Sequence, residues 1–334
     1  MRVSARDAGP FARAEGFSER VVEKVLQLMH LLSALNSHPG LRGKWALKGG
    51  TALNLFVLRY PRLSVDIDLN YIGALDREDM LEDRPRVERA AQAVFSREGF
   101  TVRRAPDEHA GGKWRLGYVS YTGQPAILEV DLNYMYRQPL WDGCEADSHP
   151  IGDYCARGIP LVDLHELAAG KLAALLSRRQ SRDLFDCSQI LGLDDLRSDQ
   201  LRVAFVVYGA MNRKDWRTVS VEDIDFEERE LTRQLRPMLR APGPSGQAVT
   251  TDYARGLVED CKRALSAVLP LADREREFLD LLLDKGDVDA GLLTCDTSLQ
   301  QRIHNQPLLQ WKALNVRRHR GLLPPRASEH PSAP

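Results

Sequence analysis

The chain has 334 residues, 43% of them hydrophobic, and a formal net charge of −1. That is enough for a sizeable core and, on length alone, for two domains. The charge balance excludes a broadly basic nucleic-acid binder, so any RNA contact needs a local patch. Cys144, Cys155, Cys187, Cys261 and Cys295 are odd in number, scattered and without a Cys-x-x-Cys pair. They argue against a disulfide framework and a zinc ribbon and suit a reducing cytoplasm, the expected location. The N-terminus mixes charges early (Arg2, Arg6, Asp7) without an apolar signal core, and no stretch nears the ~18 apolar residues of a membrane span. No membrane partner is expected.

In chain order, residues 1–16 read as a lead-in. Val21, Val25, Leu26, Met29, Leu32 and Leu35 then mark one helix face, with Ser18 as N-cap and Pro39-Gly40 as stop. "WALKGG" reads as a short strand ending in glycine, and "TALNLFVLRY" as a helix starting at Thr51. In "LSVDIDLNYI", Val65, Ile67 and Leu69 face one way, Asp66 and Asp68 the other. A helix over 84–98 and strands in "FTVRRA", "KWRLGYVSY" and "PAILEVDLNYMY" follow, punctuated by Gly111-Gly112 and Gly123-Gln124-Pro125. From about Leu161 the chain turns Ala/Leu-rich at helical spacing, interrupted by a Pro/Gly/Ser connection at 240–251. The expected class is α+β: a helical lead-in (1–40), a sheet-bearing core (41–158), a mainly helical domain (159–321) and a disordered tail (322–334).

Four pieces carry chemistry. Gly49-Gly50 between a strand and a helix lets backbone approach an anion such as phosphate, with Thr51 as cap or contact; plain turn chemistry also accounts for the pair. Period-2 geometry puts Asp66 and Asp68 on one side of a strand, where like charges repel unless a hard divalent cation lies between them. A solvent-facing strand edge is the alternative, and an EF-hand is excluded by the missing glycine and distal glutamate. In "ILEVDLNY", Asp131 adds a third carboxylate if its strand lies beside the first; two Mg²⁺ ions held this way serve nucleotidyl transfer. Finally, in "GKLAALLSRRQSRDLFD", an unbroken helix at ~100° per residue puts Lys171, Arg178 and Arg182 within about 20° of one line. Asp186 then lies about 60° away and Asp183 about 120° away. Such a stripe suits a triphosphate; a solvated face of ion pairs is the plainer alternative, and Ser181 as a new cap would break the stripe.

These residues resemble a known family. "LKGGTALNL" followed by "RLSVDIDL" is similar to the nucleotidyltransferase superfamily signature. With the helical Lys171–Asp186 segment and the late segments 273–286 and 304–315, roughly residues 17–316 resemble the AbiEii/AbiGii toxin family, to which the MenT toxins also belong. The resemblance implies a polymerase-β-like nucleotidyltransferase core followed by a helical domain. It also implies Mg²⁺-dependent transfer of a nucleotide from an NTP, tRNA 3′ ends as acceptor in some relatives, and a cognate antitoxin encoded nearby. It makes Asp66 and Asp68 the metal-binding pair, Lys171 the helix lysine, and Asp183 or Asp186 the acid after it; Asp131, which the resemblance does not assign, is the expected third carboxylate, as metal ligand or general base. Lys48, Gly49, Gly50, Thr51, Arg62, Ser64 and Arg182 form the expected NTP-binding set. An RNA acceptor needs basic surface, for which Arg178, Arg179, Arg182 and the run Lys312, Arg317, Arg318, His319, Arg320 are the candidates. Transfer to a protein or to a small molecule such as an aminoglycoside, and a non-catalytic nucleotide- or antitoxin-binding module, are the competing readings.

Overall fold

The strand with the paired aspartates, β2 (Asp66–Tyr71), is the middle of seven. The structure is a computed structural model that describes residues 4–106, 110–241 and 249–322. Residues 323–334 of the expected tail and 242–248 of the expected connection lie outside the described residues. The other strands are β1 (Trp45–Lys48), β3 (Thr101–Arg104), β4 (Gly111–Val119), β5 (Pro125–Asn133), β6 (Cys144–Ala146) and β7 (Ile159–Leu161). Their order is β3-β4-β5-β2-β1-β7-β6. The sheet is mixed: β2 runs parallel to β5 and β1 parallel to β7, while the other neighbours are antiparallel.

Alternation makes this sheet two-faced. Ile67, Leu128, Val130, Trp114 and Leu116 are buried on one side, each worth roughly 1.5–3 kcal/mol by removal from water. Helix α4 (Arg77–Arg97) covers that side, its Phe95 ring set edge-on to Trp114 at 5.6 Å. Helix α1 (Ala5–Glu15) leads into α2 (Glu19–Ser37), whose buried stripe includes Val22, Val25, Leu26, Met29 and Leu32. His30 of α2 meets Glu98 just past α4 at 2.7 Å. Asp66, Asp68, Glu129 and Asp131 point to the opposite, open side.

Helix α4 begins at Arg77, seven residues before the expected start. Pro85 reads as a boundary because it lacks an N–H, yet Asp76 caps the true start by accepting from Glu78 and Asp79 N–H. β6 and β7 are three residues each, too short for periodicity to betray. β7 pairs with β1, so the sheet runs three residues past position 158.

Beyond the sheet lie α5 (Leu164–Arg178), α6 (Ser181–Ile190), α7 (Ser198–Ala210), α8 (Glu228–Glu230), α9 (Thr251–Leu265), α10 (Asp273–Asp280), α11 (Thr297–His304) and α12 (Pro307–His319). The single helix expected over Lys171–Asp186 is two. It breaks because Arg179 takes a left-handed conformation (φ 52°) and ends α5. Gln180, not Ser181, occupies the cap of α6. No helix of the described residues is long and apolar enough to cross a membrane.

Candidate active site

The doubled glycine is needed because three side chains occupy its space. Gly49 has φ +72°, and a Cβ there would collide with Asp68 Oδ2. A Cβ on Gly50 would lie 2.7 Å from Arg62 Nη2 and 2.9 Å from Ser64 Oγ. β1 delivers Gly49 to this point because Lys48 pairs with Asp68 across the β1–β2 ladder. A short helix, α3 (Gly49–Ala52), follows and widens into a π-turn over Leu53–Val57.

The parallel β2–β5 register sets Asp66 beside Glu129 and Asp68 beside Asp131. Four carboxylates therefore share one face, three expected and one, Glu129, not. Burial raises the Asp66 carboxyl, with Asp68 and Glu129 adding to the rise and Lys24 and Arg182 opposing it. Arg182 Nη1 stands 3.9 Å from Asp66 Oδ2. Lys24 of α2 is not among the site residues expected from the sequence. Burial lowers its ammonium, offset in part by Asp66 and Glu129. Lys48, half-buried, places Nζ 4.8 Å over the Tyr136 ring. Burial lowers it too, against the pull of Asp68 and Asp131.

The acidic helix residues gather elsewhere, in a buried ion cluster beside the carboxylate face. Asp186, fully buried, takes bonds from Arg62 Nε and Nη2 (2.7 Å each), Lys171 Nζ (2.7 Å) and Asn54 Nδ2 (3.1 Å). Asp183, also buried, is held by Arg178 Nε at 2.7 Å and Lys171 Nζ at 3.4 Å. The break at Arg179 is what folds α6 back against α5, so Lys171 and Arg178 turn toward Asp183 and Asp186 instead of forming a free stripe. Burial alone would raise Asp186, but Arg62 and Lys171 outweigh it and hold the carboxyl well below the usual range.

Of the expected NTP-binding set, Thr51 is fully buried and its hydroxyl donates to the Asp66 carbonyl at 2.5 Å, which fixes the start of β2. Arg62 spends its guanidinium on Asp186 and the Leu63 carbonyl. Both side chains are engaged by other residues of the chain. Lys48, Gly49 and Arg182 face the carboxylates directly, and Ser64 and Gly50 back the turn.

Of the basic residues expected to meet RNA, Lys312 is taken up inside the protein, while Arg179, Arg317 and Arg320 form ion pairs at the exposed surface. Lys312 Nζ donates to the Ala210 and Asn212 carbonyls at 2.7 and 2.6 Å, ending α7. Arg317 pairs with Asp287, Arg320 with Asp284 and Arg179 with Asp225.

A central strand bearing paired aspartates against a glycine turn, in a mixed sheet followed by helices, is the arrangement of a nucleotidyltransferase. Residues 30–257 match the family described as the nucleotidyl transferase AbiEii toxin of type IV toxin–antitoxin systems, and the chain belongs to that family. Among solved structures it is similar to MenT4, a nucleotidyltransferase toxin from Mycobacterium tuberculosis H37Rv. The two share 18% identity and a TM-score of 0.58 over 92% of this chain and 97% of that one, a likeness of fold. No curated protein matches by sequence. The protein is therefore a nucleotidyltransferase toxin of a type IV toxin–antitoxin system, a class defined by pairing with an antitoxin.

Proposed function

We propose that the protein transfers a nucleoside monophosphate from an NTP to an acceptor hydroxyl, that of a tRNA 3′ end, with Mg²⁺ at the carboxylate face. The observation that carries this reading is Asp68 seated against Gly49 with Asp131 as its register partner on the same open side. An acceptor oxygen bonds to the α-phosphorus, the bond to the bridging oxygen breaks, and pyrophosphate leaves. The hydroxyl proton would pass to Asp131, if that carboxylate serves as general base and not as a third ligand of the ion, or otherwise to water. Arg182, Lys24 and Lys48 ring the carboxylates and offer positive charge to phosphate oxygens. The Arg62–Asp186–Lys171 cluster holds α6, and with it Arg182, at the site.

Among the described residues no three carboxylate, imidazole or thiol groups already converge on one point. The donors are nevertheless all carboxylate oxygens, the type Mg²⁺ takes, with phosphate oxygens and water able to fill the remaining positions. Asp66, Asp68 and Asp131 would hold the ion, which on binding would neutralise charge on the triphosphate.

The test is incubation of the purified protein with each α-labelled NTP, Mg²⁺, and total tRNA, protein or small molecules offered in parallel. Label is expected in tRNA, lost with EDTA and in Asp66→Ala, while the variant keeps its circular dichroism. Label appearing in protein or a small molecule, or transfer surviving in Asp66→Ala, would overturn the reading.

A further inference from the structure

Beyond the four carboxylates the same sheet face continues, uncovered, to the sheet edge. Its alternate residues show this: Trp114 and Leu116 are 1% and 0% exposed, while Lys113, Arg115 and Val119 between and beyond them are 46%, 49% and 72%. Ile127, on the β5 side, is 39% exposed although apolar. Lys113 pairs in register with Asp131 and Arg115 with Glu129, so the cations begin beside the carboxylates. On the edge strand, Arg103 and Arg104 are both exposed.

Two features set this face apart. Lys113 and Arg115 share a single carboxylate, Glu129, at 3.0 and 3.4 Å. Among the described residues no carboxylate lies within ion-pair distance of Arg103 or Arg104, in contrast to the paired arginines of α12. The second feature is flatness. Gly117 is the register partner of Ile127, and a Cβ on it would meet Arg103 Nε at 2.9 Å. Without that Cβ the guanidinium lies down across the sheet beside an exposed isoleucine. A flat guanidinium and an apolar side chain among cations form a surface for unpaired bases and their phosphates. Strands are spaced ~4.8 Å apart, so β5 to β3 is ~10 Å, the reach of roughly two nucleotides of an unstacked single strand.

We propose that this open face of β3, β4 and β5 seats the single-stranded 3′-terminal nucleotides of the RNA acceptor. Arg103, Arg104, Lys113 and Arg115 take the phosphates. Ile127 and the Arg103 plane take bases, and the terminal hydroxyl points to Asp131. The inference rests on the nucleotidyl-transfer reading and names where its acceptor lies.

The test compares Arg103→Ala/Arg104→Ala with Arg317→Ala/Arg320→Ala on α12, an equal loss of charge. Binding of total tRNA and of a short single-stranded RNA is measured by filter retention across a salt series. NTP binding is followed separately by equilibrium dialysis. The edge-strand variant is expected to bind RNA about tenfold more weakly, with the log–log salt slope reduced by about 1.4, or ~0.7 per lost phosphate contact on a single strand. Its KM for tRNA rises, and its KM for NTP and its circular dichroism stay as in the parent. The α12 variant is expected to behave as the parent. If the parent labels tRNA while the edge-strand variant matches it in affinity and slope, this inference falls and the transfer reading stands. If the parent labels only protein or small molecules, the acceptor reading falls and takes this one with it.

Discussion

Arg62 Nε and Nη2 each donate a 2.7 Å hydrogen bond to Asp186, a residue 124 positions later in the chain. Both side chains are buried, at 3% and 0% exposure. The fork ties the turn before β2 to α6, and so fastens the helical part to the sheet beside the carboxylates. Removing one partner of an isolated buried pair costs about 3–5 kcal/mol because the other charge is stranded; here Lys171 stays 2.7 Å from Asp186 and compensates in part. Arg62→Ala should therefore lose about 2–3 kcal/mol in urea unfolding, and Arg62→Lys less, since the charge remains but the planar fork does not. A loss below ~1 kcal/mol for Arg62→Ala would show that the pair contributes only as an exposed one does.

Gly49→Ala tests the glycine turn. The left-handed backbone costs a β-carbon about 1–3 kcal/mol, and the new methyl must displace Asp68. Transfer should fall about 100-fold, as expected for a misplacement of ~1 Å, while the protein still folds. Unchanged kcat/KM would mean that Asp68 does not need its position.

The four carboxylates of the face should not be equivalent. Glu129 is already neutralised by Lys113 and Arg115, whereas Asp68 sits against the turn. Asp68→Asn should lower kcat by at least ~100-fold, and Glu129→Gln by no more than about threefold, on the scale of positioned acid–base groups. Equal losses would place Glu129 among the reacting groups.

Glu166 should make stability fall with rising pH. It is 3% exposed in the first turn of α5. Burial raises its carboxyl to about 7, against bonds donated by Leu140 N–H, Trp141 N–H and the Tyr208 hydroxyl. The unfolded chain releases this proton near 4.5 and the folded one near 7, so between those values the folded state binds more protons. The contribution is complete below 4.5 and is lost as pH rises through about 7. At ~1.4 kcal/mol per unit, its ceiling is on the order of 3 kcal/mol. Glu166→Gln copies the protonated form, so urea unfolding from pH 5 to 8 should lose this slope in the variant. An identical slope would assign it to other groups.

Local pattern determined much of this protein. Alternation in "VDIDL" and "ILEVDLNY" fixed which carboxylates share a face, because a strand's side chains can only point up or down. The glycine pair, the α2 stripe and the family likeness were legible for the same reason: each depends on neighbours within a few residues. Lys24 and Glu129 joined the site only through the packing of α2 and the β2–β5 register, which no local spacing encodes. Arg62 and Asp186 met across 124 residues, and a left-handed Arg179 overrode helical periodicity that ran straight through it. The Lys312 run read as free charge until α7 supplied its carbonyls. Sequence spacing sets the direction of a side chain along its own element. Which charges face one another, and which remain for a partner, is decided only when the elements close on each other and water is excluded between them.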